Sequence, residues 1–341
     1  MVLGKRYLDD GKPLLALCDI QLETLQSVKG KIASKRYRMV SRPCPVCASD
    51  SDSDFEMLAE KDRYGITAPT VICRKCGMVQ SRPYMDTESC NEFYRLEQKK
   101  LYVGNSSVSD EYFQRQQVRG NAIFKYVAAE LGANLSKNSQ VLEVGCSAGG
   151  ILKPFHDFGC PVCGVDLAED YVRYGRERMG MPLEYGTIDA ILASGRKFDL
   201  VIYSHVLEHI VNVEEELSKI AQALAPGGHL FIEVPGVMNI ANAYGGDFLL
   251  YLQNAHVWHF SLLSLKGLLA RNGFNAISGT EEVKLIAKKA PPSETMNENG
   301  YSETIRFLQR QELFRPFGKA KRIAMLPFRA LRKAWRMARC K

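Results

Sequence analysis

The sequence predicts an α/β protein built on a mostly parallel sheet, with a small cysteine-rich domain ahead of it. Short apolar runs alternate with helical periodicity from Gln140 onward, the pattern of strands joined through crossover helices. A turn of small residues, Gly145-Cys-Ser-Ala-Gly-Gly150, follows the first of those runs, and two Cys-x-x-Cys pairs stand upstream.

At 341 residues the chain accommodates two domains, one of them with a full core. The pattern divides it into an N-terminal extension (1–40), a cysteine-rich domain (41–103), an α/β domain (104–290) and a linker with a basic tail (291–341). Apolar residues make up 46% and charged residues 24%, as in ordinary globular proteins. No stretch reaches the roughly 18 uncharged apolar residues that a bilayer span requires. Met1–Asp10 carries charges where a signal peptide needs an apolar run, so a cytoplasmic protein is expected. The net charge of +7 is concentrated, because Arg315–Lys341 holds ten Lys or Arg and no acid, which leaves −3 elsewhere. The body therefore gives no electrostatic reason to expect nucleic acid.

Residues 1–40 show weak helical periodicity and no motif. Gly104–Asp110 is a polar joint, and Tyr112–Leu131 reads as a helix with apolar positions Val118, Ile123, Phe124, Val127 and Leu131. Strands are expected at Val141–Val144, Val162–Val165, Leu200–Tyr203 and Leu230–Val234, with helices over 149–158, 169–179 and 211–224 between them. Ala225-Pro-Gly-Gly228 stops the last helix. Ala276–Thr280 and Lys284–Lys289 are suited to a closing pair of strands.

The small-residue turn lets a ligand approach the backbone and presents the unpaired N–H groups of a helix start. Gly145, Ser147 and Gly150 nearly make a dinucleotide fingerprint. Three features point instead to S-adenosylmethionine (SAM). Glu143 lies two residues before Gly145, placed to engage an amine; Asp166 ends the second strand 21 residues after Gly145, placed to accept from ribose hydroxyls. Phe198–Ile210 runs from a strand into a polar segment at the sheet's carboxyl edge, where open α/β sheets bind ligands.

Glu143-x-Gly145, Gly164-Val-Asp166, Phe198-Asp-Leu-Val, His205-Val-Leu-Glu-His209 and Leu224-Ala-Pro-Gly-Gly228 together resemble the class I SAM-dependent methyltransferases over residues 118–290. The resemblance implies a Rossmann-like fold with a mostly parallel seven-stranded sheet. It also implies that Gly145, Ser147 and Gly149 wrap the methionine part of SAM, Asp166 takes the ribose, Leu167 and Ile188 flank the adenine, and Ser204 and His205 close the site. Ala148 stands where many relatives carry glycine, and fits if its φ is negative.

Cys44-x-x-Cys47 and Cys73-x-x-Cys76 are separated by 25 residues, and Pro43, Pro45 and Gly77 supply turn residues. Four thiolates close a tetrahedral Zn²⁺ with no open position, so a structural zinc ribbon is expected. Cys160-x-x-Cys163 has no second pair nearby and leads into a buried strand, which makes packing its expected role. A ribbon ahead of such a domain resembles the sugar methyltransferases of deoxysugar and bacterial surface-polysaccharide pathways. Asp62-Arg-Tyr-Gly65, Val71–Gly77, Phe93-Tyr-Arg95 and Gln253-Asn-Ala-His-Val-Trp-His-Phe-Ser261 carry that likeness, which extends over 41–290.

The function expected from this resemblance is methyl transfer to a sugar hydroxyl in glycan assembly. A base that takes the hydroxyl proton helps, and histidine suits the task near neutral pH. Of His205, His209, His256 and His259, the resemblance marks His209 and His256 as active-site positions. His256 is the expected base and His209 its helper; both also suit a plain pocket-shaping role. Ala255 stands where the C-methylating relatives carry glutamate, which favours O-methylation over C-methylation of a nucleotide-linked deoxysugar. An RNA methyltransferase and an inactive scaffold of a glycan-assembly complex are the further alternatives. The tail sets Ile323, Phe328, Leu331, Trp335 and Ala338 on one side of a basic helix. Such a helix can rest on an anionic membrane, here the inner face of the cell membrane.

Overall fold

The computed structural model describes residues 3–103, 108–293 and 299–315. The amphipathic part of the expected basic tail, beyond Arg315, lies outside the described residues.

The N-terminal part pairs a two-residue strand β1 (Met39–Val40) with β5 (Tyr84–Met85), next to an antiparallel sheet of β2 (Phe55–Lys61), β3 (Thr67–Cys73) and β4 (Val79–Ser81). Helix Asp19–Ala33 precedes them. The second part contains β6 (Val141–Val144), β7 (Val162–Asp166), β8 (Leu183–Tyr185), β9 (Phe198–Ser204) and β10 (Leu224–Glu233). Strands β11 (Trp258–His259), β12 (Phe274–Gly279) and β13 (Lys284–Lys289) follow. Seven of these form one sheet in the order β12-β13-β10-β9-β6-β7-β8. Strands β6 to β10 run parallel in it, β13 runs antiparallel to β10, and β12 antiparallel to β13. All four residues of β6 are buried, as a central strand covered on both faces requires.

Helix Asp110–Leu131 starts where Ser109 accepts the Tyr112 N–H, with Asp110 and Glu111 in the first turn, a favourable cap and dipole arrangement. Its buried stripe is Phe113, Gly120, Ile123, Val127 and Leu131. Val118 is 70% exposed because it falls off that three- and four-residue spacing, contrary to the sequence expectation. Gly120 is required by close packing: a Cβ there would meet the carbonyl oxygen of Ile151 at 2.7 Å. The helix expected over 149–158 begins only at Lys153, because the residues before it are spent on the turn after β6.

Strand β11 does not join the large sheet. It extends the N-terminal one, with Trp258 opposite Gln80 and His259 opposite Val79 on β4. The segment 235–260 thus ends as a strand that covers the open edge of β4. Tyr64, Ile66, Cys73 and Met78 share one buried cluster with Leu142, Val165, Leu207 and Trp258, so the two parts are packed through a common core. Among the described residues no helix is long and apolar enough to cross a membrane.

Candidate active site

The turn after β6 is held in a strained backbone shape. Gly145 has φ +73°, Ser147 +52° and Gly149 +81°, whereas Ala148 is absent from the positive-φ region and is accommodated as alanine. A Cβ on Gly145 would lie 2.3 Å from Cγ2 of Val206. Asp166, at the end of β7, pins the turn: its Oδ2 accepts the Ser147 N–H at 2.7 Å and its Oδ1 accepts the Ala168 N–H at 2.7 Å. Burial pushes the Asp166 carboxyl above its ordinary range, against these two bonds. Each oxygen keeps a lone pair for a further donor.

Glu143 is 1% exposed and its Oε2 has no hydrogen-bond partner. Burial drives its carboxyl well above the usual value, partly opposed by Arg119. A buried carboxylate left this way is unfavourable unless a cationic donor meets it. The ammonium of a SAM molecule is such a donor, so the residues present fit that cofactor. Leu167 (58% exposed) and Tyr185 (60% exposed) stand at the ends of adjacent strands. Ile188 is wholly buried and presents no surface at this edge, so the apolar side chains available to a flat ring are Leu167 and Tyr185. Tyr185 was not singled out from sequence, because its place beside Asp166 depends on the pairing of the three-residue β8 with β7.

Beside the turn, Ser204 Oγ donates to Glu233 Oε2 at 2.8 Å, and Arg119 Nη2 donates to both Ser204 Oγ and Glu233 Oε2 at 2.9 Å. His205, at φ +56°, donates its backbone N–H to the Glu233 carbonyl at 2.7 Å. Burial opposes ionisation of Glu233, but His205 and Arg119 outweigh it and hold the carboxyl below its ordinary range. Arg119 and Glu233 were not singled out from sequence; Glu233 lies opposite Ser204 in the sheet register, which only the pairing reveals.

The polar line continues from His205 Nδ1 to Glu208 Oε1 at 3.4 Å and from there to His209 Nε2 at 3.8 Å. His209 Nδ1 lies 2.6 Å from the Tyr94 hydroxyl and 3.1 Å from the Ala255 carbonyl. His256 packs against it, with ring centroids 4.8 Å apart. The structure thus brings the two expected active-site histidines together, and adds Tyr94 from the N-terminal part. Burial first, then neighbouring His209, pushes His256 well below the normal imidazole range, so the ring is held neutral. His156 is half-exposed on its helix and apart from this group.

His259 is buried with neither ring nitrogen partnered, and burial lowers it to about 3. Its folded pKa lies below the unfolded value near 6.5, so its contribution to stability is complete above pH ~6.5. That contribution is lost progressively as the pH falls from ~6.5 toward ~3, at up to about 1.4 kcal/mol per pH unit. His259→Phe is expected to flatten the acid limb of a melting-temperature profile over that window. An unchanged slope would place the titrating group elsewhere.

The Sγ atoms of Cys44, Cys47, Cys73 and Cys76 all lie within 4.8 Å of one another. Cys44 and Cys76 are 3.4 Å apart, Cys47 and Cys73 3.5 Å, near the ~3.8 Å edge of a zinc–thiolate tetrahedron. Contact with Cys47 drives the Cys44 thiol up while contact with Cys44 drives Cys47 down; four such thiols ionise together only around a cation. Cys160 donates to the Ser136 carbonyl and Cys163 contacts Glu184 and Arg196, separate interactions that agree with a packing role.

Residues 114–278 match the family model Methyltransf_23, described as a methyltransferase domain. That match covers a little under half of the chain. The ubiquinone biosynthesis O-methyltransferase of Dinoroseobacter shibae is 32% identical over 121 residues, 33% of this chain and 49% of that protein. The enzyme of the same name from a Methylobacterium species is 31% identical over 96 residues, 27% of this chain and 39% of that protein. The chain therefore spans half or less of these relatives' length. The magnesium protoporphyrin IX methyltransferase of Synechocystis, solved with bound S-adenosylhomocysteine, overlaps 59% of this chain and 95% of its own at 18% identity and TM-score 0.39. The curated relatives overturn the expectation of a sugar hydroxyl in glycan assembly: they carry the name of small-molecule O-methyltransferases. The sugar reading rested on the cysteine-rich region and on Gln253–Ser261 within the domain, whereas the curated matches are to these enzymes.

Proposed function

We propose that this chain transfers the methyl group of SAM to a hydroxyl oxygen of a small organic molecule. The observation that carries the reading is the row of charged and polar side chains beside the cofactor turn. It runs from Arg119 to Glu233 (2.9 Å), His205 (3.9 Å), Glu208 (3.4 Å) and His209 (3.8 Å), with His256 packed against His209. When bound, SAM supplies an activated methyl on a sulfonium. Glu143 takes its ammonium, Asp166 adds ribose hydroxyls to its two backbone bonds, and Leu167 with Tyr185 borders the adenine. Ser147, Gly149, Ser204 and His205 close around the rest. His256 accepts the acceptor's hydroxyl proton as the oxygen attacks, and His209, oriented by Tyr94, positions the acceptor. Alignment of this kind supplies much of the rate.

The curated relatives' shared name directs the test to hydroxyl-bearing intermediates of ubiquinone biosynthesis, compared with simple phenols and aliphatic alcohols. Labelled methyl from SAM should appear in a small-molecule product. Asp166→Ala should weaken SAM binding by about 1.5–3 kcal/mol, the loss of charge-assisted bonds; unchanged affinity by calorimetry would remove Asp166 from the cofactor site.

The four convergent cysteines are proposed to hold one structural Zn²⁺, which would tie the knuckle at Cys44–Cys47 to the end of β3 and the turn after it. Elemental analysis of protein purified without chelator should find zinc, and Cys73→Ser should lose it. Zinc absent from the wild type would end this assignment.

A further inference from the structure

We propose that Glu208, His209 and His256 form a binding site for a divalent cation of the zinc class, distinct from the four-cysteine cluster. One ligand atom from each of the three lies within 4.8 Å of the other two. Nitrogen and oxygen ligands around tetrahedral zinc sit about 3.4 Å apart, so the triad needs to close by at most about 1.4 Å.

Each ligand is prepared in a different way. Glu208 is 1% exposed, yet neither carboxylate oxygen accepts a hydrogen bond. Among the described residues its cationic neighbours within 4 Å are imidazole nitrogens, His205 Nδ1 at 3.4 Å and His209 Nε2 at 3.8 Å. His209 has its Nδ1 tied by Tyr94 and Ala255, which turns Nε2 toward Glu208; this outer-shell fixing is what metal-binding histidines require. His256 is 4% exposed and its Nδ1 has no partner. The backbone locks the two halves together, since the Val257 N–H donates to the Glu208 carbonyl at 2.9 Å. Burying a carboxylate without a donor is costly, and a cation between these side chains removes that cost. Two imidazoles and one carboxylate favour zinc and its neighbours over magnesium or calcium, which prefer all-oxygen shells.

Three protein ligands leave at least one coordination position open, in contrast to the closed cysteine site. What the cation would do there rests on the proposed O-methyl transfer: it would orient the acceptor hydroxyl and make its proton easier to lose. With the cation bound, His256 would serve as one of its ligands in place of the base role above, and the hydroxyl proton would pass to solvent water. The binding itself is tested independently of turnover.

The full-length protein, stripped and reloaded with Co²⁺, is compared with Glu208→Gln and His209→Gln by elemental stoichiometry and visible absorption. The expected result is the loss of one cobalt per chain in each variant. The weak d–d bands of a nitrogen–oxygen site should go with it, while the thiolate charge-transfer bands of the cysteine site stay. SAM affinity, measured on the same samples, verifies that the variants are folded. Equal cobalt content in wild type and both folded variants overturns the proposal. So does a wild type whose spectrum contains thiolate-ligated cobalt alone. If turnover persists in such a protein, the metal site fails while the O-methyltransferase reading stands; if metal binds but no hydroxyl is methylated, the reverse holds.

Discussion

His256→Ala is expected to lower kcat about a hundred- to ten-thousand-fold, the usual loss when a general base is removed, with SAM affinity nearly unchanged. His256 sits in the 235–260 segment, whereas the cofactor turn is built from the ends of β6 and β7, so the two functions are separable by position. The imidazole is buried beside His209 and kept neutral, the form a base or a metal ligand needs. His209→Ala should lose less in kcat, or lose mainly acceptor affinity, because its Nδ1 is already committed to Tyr94 and Ala255. The reverse ranking would make His209 the base. Near-normal turnover in both variants would leave alignment as the whole of catalysis.

Cys73→Ser should destabilise the N-terminal part by several kcal/mol, since metal binding in small zinc domains supplies much of their folding free energy. The effect should also reach the acceptor site. Cys73 ends β3, β3 pairs with β4, and β4 holds β11 through Trp258 and His259. His256 lies two residues before β11, and its carbonyl accepts the Ser81 hydroxyl at 2.9 Å. Loss of the metal cluster should therefore raise the acceptor KM or lower kcat while SAM binding, which depends on β6 and β7, persists. Hydrogen exchange would report the loosening at β3, β4 and β11. A variant that lost zinc yet kept full protection at β11 would show that the cysteine cluster and the acceptor site are uncoupled.

Much of this arrangement was legible in the residues. The strands Val141–Val144 and Lys284–Lys289 follow the apolar pattern to the residue, and β6, β7, β9 and β10 fall where strands were expected, whereas the three-residue β8 and the short helix Ile188–Ala193 after it were not foreseen. Local punctuation explains most of the shifts, as where the turn residues Ser147 and Gly149 postpone a helix to Lys153. The convergence of the two cysteine pairs was readable because ligand spacing is itself a sequence signal. What stayed hidden depends on distant pairing. A two-residue strand such as β11 has no periodicity to detect, so its attachment to β4 leaves no mark in the sequence. Arg119, Glu233, Glu208 and Tyr94 come from four separate elements and are joined only by the fold. The acceptor class went astray because it was read from short motifs, the cysteine-rich region and Gln253–Ser261, none of which contains the acceptor.

Oxygen-directed methyl transfer from SAM to a small molecule can be measured on the protein itself. The full-length chain is incubated with isotopically labelled SAM and hydroxyl-bearing small molecules, including ubiquinone-pathway intermediates, and products are resolved by mass spectrometry. The account predicts a product carrying one labelled methyl on oxygen, formed by the wild type and strongly reduced in His256→Ala. A labelled methyl found on carbon, or in macromolecules alone, or no transfer from a protein that binds SAM tightly, would contradict it.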